Sequence, residues 1–292
     1  MAVVNTNVSA SISQASLAKN ERALSKAMEQ LSTGKKINTA ADDAAGLAIS
    51  TRMSTQIIGL EQSIQNASDA ISMINTAEGA LDEVTNLLQR MRELALQASN
   101  GTTGVEDRSY LNKEYQALYA EISRIANNSE WNGRTILNNT ANGSSSSLVS
   151  FQIGMDSGQT ISVDFGNFTT NASGTFVDFV SAGATAGTIS GTSTASAQTK
   201  ASAAIGSIDT ALLAISNQRS SFGAASNRLT HAIDNLTNVT INAEASRSRM
   251  MDTDYAAATS ELARTQIINQ ASTAMLAQAN QLPQSVLQLL QS

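Results

Sequence analysis

The chain has no cysteine and a single histidine, His231. The first absence rules out disulfides and thiolate metal sites. With only one imidazole as well, most metal-ligand sets and most general-base arrangements lack their parts. No G-x-S-x-G nucleophile elbow occurs either. Ser32-Thr33-Gly34-Lys35-Lys36 resembles the end of a phosphate loop, but the earlier glycine is missing and Lys36 stands where Ser or Thr is required. Asp42 and Asp43 are adjacent in sequence rather than set across a cleft, and helix capping accounts for them. His231 lies in a helical run and reads as a helix-surface residue, and Met250-Met251 reads as packing. The expectation is a protein that is not an enzyme, with no catalytic, cofactor-binding or metal-ligating residues and no cofactor.

Charge and aromatic residues are also scarce. Only 14% of residues are charged and 4% aromatic, against about 25% charged in an ordinary domain. Ala, Ser, Thr, Asn and Gln fill the gap. Small side chains let helices approach closely but supply little bulky core, which points to stabilisation by neighbouring copies. Eighteen Lys and Arg against 24 Asp and Glu give a net charge of −6 with no basic run, so no nucleic-acid partner is expected. No apolar run is long enough to span a membrane, so no membrane partner is expected. The start, MAVVNTNVSASISQASLAKN, has its first positive side chain at Lys19 and no long apolar core, which argues against a cleaved signal.

What the chain does have is helical periodicity. From Ile57 the apolar residues fall at 57, 60, 64, 67, 71 and 74, then through Ala77 at 81, 84, 88, 91, 95 and 98. Steps of three and four keep one stripe facing a partner helix. Two consecutive threes at Ile71, Ile74 and Ala77 make a stammer-like slip. Ile57 to Ala98 would make a rod of roughly 63 Å at 1.5 Å per residue, which favours a coiled coil or bundle. Before it, a first helix starts among Ser9 to Ser13 and carries Leu17, Leu24 and Leu31 at heptad spacing, with Gly34 as its C-cap. Thr39 and Asp42 fit a capping box, with Asp42 and Asp43 placed in the first turn of the long helix.

After Asn100-Gly101, a further heptad run at Leu111, Tyr115, Leu118, Ile122 and Ile125 predicts a helix folded back antiparallel. Asn132-Gly133, between Trp131 and Thr135-Ile136-Leu137, is a hairpin-turn signal. Residues 138–198 lose the helical period. SLVSFQIGM and TISVDFGNF alternate about Asp156-Ser157-Gly158 and read as a second hairpin, while TFVDFV at 175–180 reads as a weaker strand. Helix returns at Lys200, on a register from Ile205 to Ala243 interrupted only by Arg219, Ser226 and Thr240. SRSRMMDTDYA breaks it. A final helix carries Leu262, Ile268, Ala271, Met275, Ala279 and Leu282. The fold class is mainly α, with long antiparallel coiled-coil or bundle arms from both termini and a small β-rich insertion.

Several stretches add to this pattern. LSTGKKINTAADDAAGLAIS, QSIQNASDAISMINTAEGALDEV and LLQRMRELALQASNGT resemble the N-terminal signature of bacterial flagellins. NRLTHAIDNLTN, SRSRMMDTDYA and MLAQANQLPQSVLQLL resemble the C-terminal one. The resemblance covers about residues 1–137 and 200–292, in the right order. It implies a structural subunit that is exported and polymerises into a helical tube, the extracellular flagellar filament used for swimming. It further implies that residues 1–34 and 255–292 form the inner tube, that 35–166 and 199–254 form the outer tube with the β hairpins, and that 167–198 is a short variable surface insertion. Leu17, Leu24, Leu31, Ile268, Met275 and Leu282 would be inner-tube packing residues. A hook–filament junction protein is the alternative, and SRSRMMDTDYA with the full N-terminal signature weighs against it.

The resemblance also implies partners beyond further copies of the chain: an export chaperone, the cap, the hook-associated junction proteins and vertebrate Toll-like receptor 5. QRMRELALQ matches the segment that the receptor reads. Carried onto this chain, Arg90, Leu94, Gln97 and Glu114 would form one exposed patch. The terminal Leu287, Leu289 and Leu290 resemble a segment read by a cytosolic immune sensor.

Overall fold

The structure, a computed structural model, describes residues 7–143, 146–169, 188–191 and 193–291, with side chains through residue 281. In chain order the elements are α1 (Val8–Thr33), α2 (Ala44–Ser99), α3 (Val105–Asn128), β1 (Glu130–Trp131), β2 (Arg134–Thr135), β3 (Leu148–Gln152), β4 (Thr160–Asp164), α4 (Thr194–Met251) and α5 (Tyr255–Gln291). Two compact units form. One comprises residues 1–57 with 241–292, the other 58–240. The predicted strand at 175–180 lies outside the described residues.

The 58–240 unit holds the large core. On α2 the predicted stripe is buried: Ala67, Ile74, Ala77, Leu81, Val84, Leu88, Met91, Ala95 and Ala98 are all shielded from solvent, and the helix runs unbroken through the slip at Ile74. Tyr115 and Ile122 of α3 and Ile208, Ile215, Phe222 and Leu229 of α4 meet it. Each such large side chain contributes roughly 1.5–3 kcal/mol on burial. Arg219, which interrupts the apolar register of α4, reaches Asp82 at 3.1 Å and Glu78 at 3.6 Å on α2. The interruption is thus an interhelical ion pair at the edge of the core.

Both hairpins form as the turn chemistry requires. Asn132 (φ 50°) and Gly133 (φ 73°) both take positive φ between β1 and β2, which an Asn-Gly pair tolerates. β3 and β4 pair antiparallel with Val149 opposite Val163 on the buried face and Ser150 opposite Ser162 on the exposed one. The hairpin is docked through its backbone. Asn66 of α2 donates to the Gln152 carbonyl at 3.0 Å, and Gln218 of α4 donates to the Asp164 carbonyl at 2.6 Å. Just beyond β4, Phe165 packs on Phe222 with ring centroids 5.4 Å apart.

α4 begins at Thr194, six residues before the start read from periodicity. The segment TASAQTK carries no bulky apolar period, yet Ala197, Ala201 and Ala204 are fully buried. Ser193 and Ser196 hydrogen-bond one another's backbone N–H at 3.2 and 3.4 Å, closing the N-terminus. Of the insertion 167–198, its described edges are anchored: Phe168 and Ile189 are buried, and the Ile189 N–H donates to Asn112 Oδ1 at 2.9 Å.

The other unit is built differently. α1 and α5 pack antiparallel, and Asn20 Nδ2 donates to the Thr265 carbonyl at 2.7 Å while Asn7 Nδ2 reaches the Ala279 carbonyl at 2.8 Å. α1 starts at Val8 on an Asn7 cap whose side chain accepts from the Ala10 N–H, and it ends at Gly34, left-handed at φ 69° as expected of a C-cap. A Cβ at Gly34 would meet the Tyr255 hydroxyl at 2.9 Å, a second reason for glycine there. Asp43, not Thr39, caps α2, accepting from the Gly46 N–H at 2.9 Å. Asp42 stays in the loop before the helix. It accepts from the N–H groups of Asn38 and Thr39 and pairs with Lys26 at 2.7 Å, and the Lys26 contact, ahead of the Thr39 N–H, holds its carboxyl far below the usual range.

Candidate functional site

Two surfaces follow from this architecture. The first belongs to the α1–α5 pair. Its seam on α1 runs through Ala10, Ser13, Leu17, Asn20, Leu24, Ala27 and Leu31, and on α5 through Ala258, Leu262, Thr265, Asn269, Ser272, Leu276 and Ala279. Both follow a strict three-four step, the spacing of a coiled coil. Most positions are small or polar. A polar residue such as Asn20 at a seam position specifies register at a cost in stability.

Besides the seam leucines, further bulky apolar side chains sit elsewhere on these helices. Val8, Ile12 and Met28 of α1 and Ile267, Ile268 and Met275 of α5 are exposed, Ile268 at 38% and Met275 at 62%. Leu17, Leu24 and Leu31 therefore lie in the seam between α1 and α5, whereas Ile268 and Met275 face away from it. The Leu282 side chain lies outside the described residues. Among the described residues of this unit, Ile37 and Ile57 are the only large apolar side chains that are buried.

The second surface lies on α2 and α3. Arg90 donates through Nε and Nη2 to Glu114 Oε1 at 3.0 and 2.8 Å and through Nη1 to Glu93 Oε2 at 2.9 Å. These bonds, Glu114 first, raise the Arg90 pKa further above its ordinary value. Gln97 is exposed two turns along the same helix. Leu94 is not part of this surface, being only 1% exposed, and the leucine that reaches solvent on this turn is Leu96, at 61%. The reason is that α2 has two neighbours here. Arg90 reaches Glu114 of α3 on one flank and Arg92 reaches Asp209 of α4 at 2.8 Å on the other. A helix flanked on both sides buries a wider arc than one stripe, and Leu94 falls inside it.

One buried residue supports this surface from below. Arg108 has no exposed surface, although it is charged. Its Nε donates to the Ala98 carbonyl and its Nη2 to the Asn100 carbonyl, both at 2.8 Å, where α2 ends. A cation at the negative end of a helix satisfies carbonyls that have no helical partner. Its Nη1 has no hydrogen-bond partner among the described residues. Periodicity held the signal: Arg108 sits seven residues before Tyr115 and fourteen before Ile122, on the buried stripe of α3.

His231 is exposed on α4. Among the described residues no group of three His, Cys, Asp or Glu side chains could hold a metal ion, and no helix is long and apolar enough to cross a membrane.

Known proteins match both ends of the chain and its middle. Residues 4–142 match the bacterial flagellin N-terminal helical region, and residues 205–290 match the bacterial flagellin C-terminal helical region. A flagellin of Halalkalibacterium halodurans is 45% identical over 294 residues, spanning 99% of each chain. Flagellin B of Vibrio cholerae is 36% identical over 376 residues, spanning 98% of this chain and 99% of that one. A solved structure of a putative flagellar hook-associated protein from Vibrio parahaemolyticus aligns with a TM-score of 0.56 over 72% of this chain and 100% of that one. At 14% identity this last likeness extends to the fold alone. Two-ended matches to both helical regions and full-length identity to proteins named flagellin leave the junction-protein alternative disfavoured, and the chain belongs to the bacterial flagellin family, as a structural subunit of the flagellar filament rather than an enzyme.

Proposed function

We propose that α1 and α5 form the inner tube of the filament (residues 1–34 and 255–292). Residues 35–166 and 199–254 then form the outer tube, with 167–198 on its outer surface. The observation that carries this reading is the division of labour on the terminal helices: a seam of small and polar residues with a few leucines joins α1 to α5, and Val8, Ile12, Met28, Ile268 and Met275 stay exposed. Such a pair buries too little alone and gains most from equivalent helices of other copies. The contact must be head-to-tail and non-closing to generate a helix. Helical reconstruction of filaments by electron microscopy tests it. α1 and α5 are expected at the smallest radius; finding α2 and α4 there instead overturns the assignment.

A second reading concerns recognition. Arg90, Gln97 and Glu114 form the exposed patch read by Toll-like receptor 5, and Leu94 contributes only by packing beneath it. Exposed ion pairs are worth about 0–1 kcal/mol, so Arg90→Asp leaves folding intact while reversing the central charge. Soluble Arg90→Asp monomer is expected to lose roughly tenfold or more in potency on receptor-bearing reporter cells, the loss of about 1.4 kcal/mol of binding. Wild-type potency would remove Arg90 from the patch. The remaining partners rest on membership of the family. The exposed face of α5 suits an export chaperone before assembly, the filament ends meet the cap and the hook-associated junction proteins, and the segment holding Leu287, Leu289 and Leu290 suits the cytosolic sensor.

A further inference from the structure

Where α1 hands over to the loop before α2, the chain crosses the short link between α4 and α5. The Lys36 N–H donates to the Met251 carbonyl at 2.6 Å, the Thr253 N–H donates to the Gly34 carbonyl at 3.0 Å, and the backbones of Lys35 and Asp252 form an isolated antiparallel β-bridge. This crossing fixes two cavities. One, of about 250 Å³, is lined by Lys35, Ser54, Arg247, Met251 and Asp252. The other is lined in part by Lys36, Arg249, Asp252, Asp254 and Glu261.

The two differ in charge. In the second cavity three carboxylates face two cations. Asp254 caps α5 by accepting from the Ala256 and Ala257 N–H groups, and Glu261 pairs with Arg264. In the first cavity two cations face one carboxylate, and that carboxylate already accepts from Ser248 Oγ at 2.6 Å. Arg247 is half-buried, and among the described residues its guanidinium reaches only Ser54 Oγ, at 3.4 Å. Neither Lys35 nor Arg247 has an ion-pair partner among the described residues. A partly desolvated guanidinium without an anion is unfavourable, and its planar fork suits a carboxylate.

We propose that the Lys35–Arg247 cavity receives an Asp or Glu side chain of a second copy of this chain. The proposal rests on the filament-subunit reading, because assembly is what brings a second copy to this face. Each copy carries six more acidic than basic side chains, so carboxylates are in surplus on any neighbour. The donor and the acceptor are different patches, as a head-to-tail contact requires.

The test compares Lys35→Gln/Arg247→Gln with Lys200→Gln/Arg228→Gln, which changes net charge equally in the other unit. Seeded elongation is followed by sedimentation. Wild type and the control pair are expected to share one critical concentration, and the cavity variant to need about tenfold more, since losing one partner of a shielded charge pair is costly. A cavity variant matching the wild type overturns the proposal. Wild-type filaments grown from mixed isotope-labelled and unlabelled copies, treated with a carbodiimide, supply a readout that needs no variant. The reagent joins a lysine amine to a touching carboxyl as an amide, with loss of water. Mixed-label peptides linking Lys35 to an Asp or Glu of another copy are expected. Lys35 linked to its own chain alone, or not linked, overturns the proposal. Wild type that never elongates from seeds overturns the subunit reading and this inference with it, which separates the two failures.

Discussion

Arg108→Ala is expected to lower the stability of the 58–240 unit by about 3–5 kcal/mol, through lost hydrogen bonds and a cavity. The Ala98 carbonyl loses its side-chain donor at the end of α2, and the Asn100 carbonyl loses a charged donor but still accepts from the Thr103 N–H at 3.2 Å. Each buried carbonyl left unpaired costs roughly 1–3 kcal/mol. Removing the long side chain from a site with no exposed surface adds a cavity. One effect opposes these: the Nη1 group that now lies buried without a partner is removed as well. The unpaired Ala98 carbonyl, the lost charged bond to the Asn100 carbonyl and the cavity outweigh it. For a unit of this size a loss of that order lowers the melting temperature by roughly 6–20 °C. Arg108→Met separates the causes, because it keeps the stem and discards only the donors. It is expected to fall between wild type and alanine, and calorimetric melting of the three chains checks the order. An alanine variant within about 1 kcal/mol of wild type would mean that the α2 terminus relaxes to water, and that Arg108 does not hold the segment carrying Arg90 and Gln97.

Arg108 also shows where reading a sequence stops. Periodicity finds apolar stripes because burial of large side chains dominates helix placement. α2, the antiparallel return of α3 and the Gly34 cap were legible for that reason, and both hairpins were legible from their turn residues. A charged residue on the same stripe looks like the end of the helix, so the heptad run shows only from Leu111, although Arg108 and the N-terminal turn precede it. α4 was read short for the complementary reason. Ala197 and Ala201 pack closely without being bulky, and small residues carry almost no periodic signal. On α5 the large apolar side chains Ile268 and Met275 mark a face that the chain itself leaves exposed. The seam that it buries is marked by Thr265, Asn269 and Ser272, residues that look like solvent. The resemblance puts Leu94 in an exposed patch and the structure buries it, because the number of neighbours around a helix sets the width of its buried arc and the sequence does not reveal that number.

Ile268→Asp combined with Met275→Asp is expected to abolish filament growth at any accessible concentration while leaving monomer melting unchanged. The two positions are seven residues apart on one face of α5, and neither lies in the seam with α1. A carboxylate there is solvated in the monomer, where Met275 is 62% exposed, so folding bears little cost. In an inner tube the same carboxylate enters an apolar contact between copies, and burial without a partner costs at least about 2 kcal/mol per group. Every copy added to the filament meets that cost at both positions. At about 1.4 kcal/mol per tenfold, two such groups raise the critical concentration by roughly a thousandfold or more. Sedimentation after seeding and melting of the unseeded monomer read the two halves of the prediction separately. Growth at the wild-type critical concentration would place this face of α5 in water inside the filament and remove Ile268 and Met275 from the packing residues. A fall in monomer stability with loss of growth would mean instead that the face is already covered before assembly. Only unchanged melting with lost growth fits terminal helices whose bulky side chains wait for a neighbouring copy.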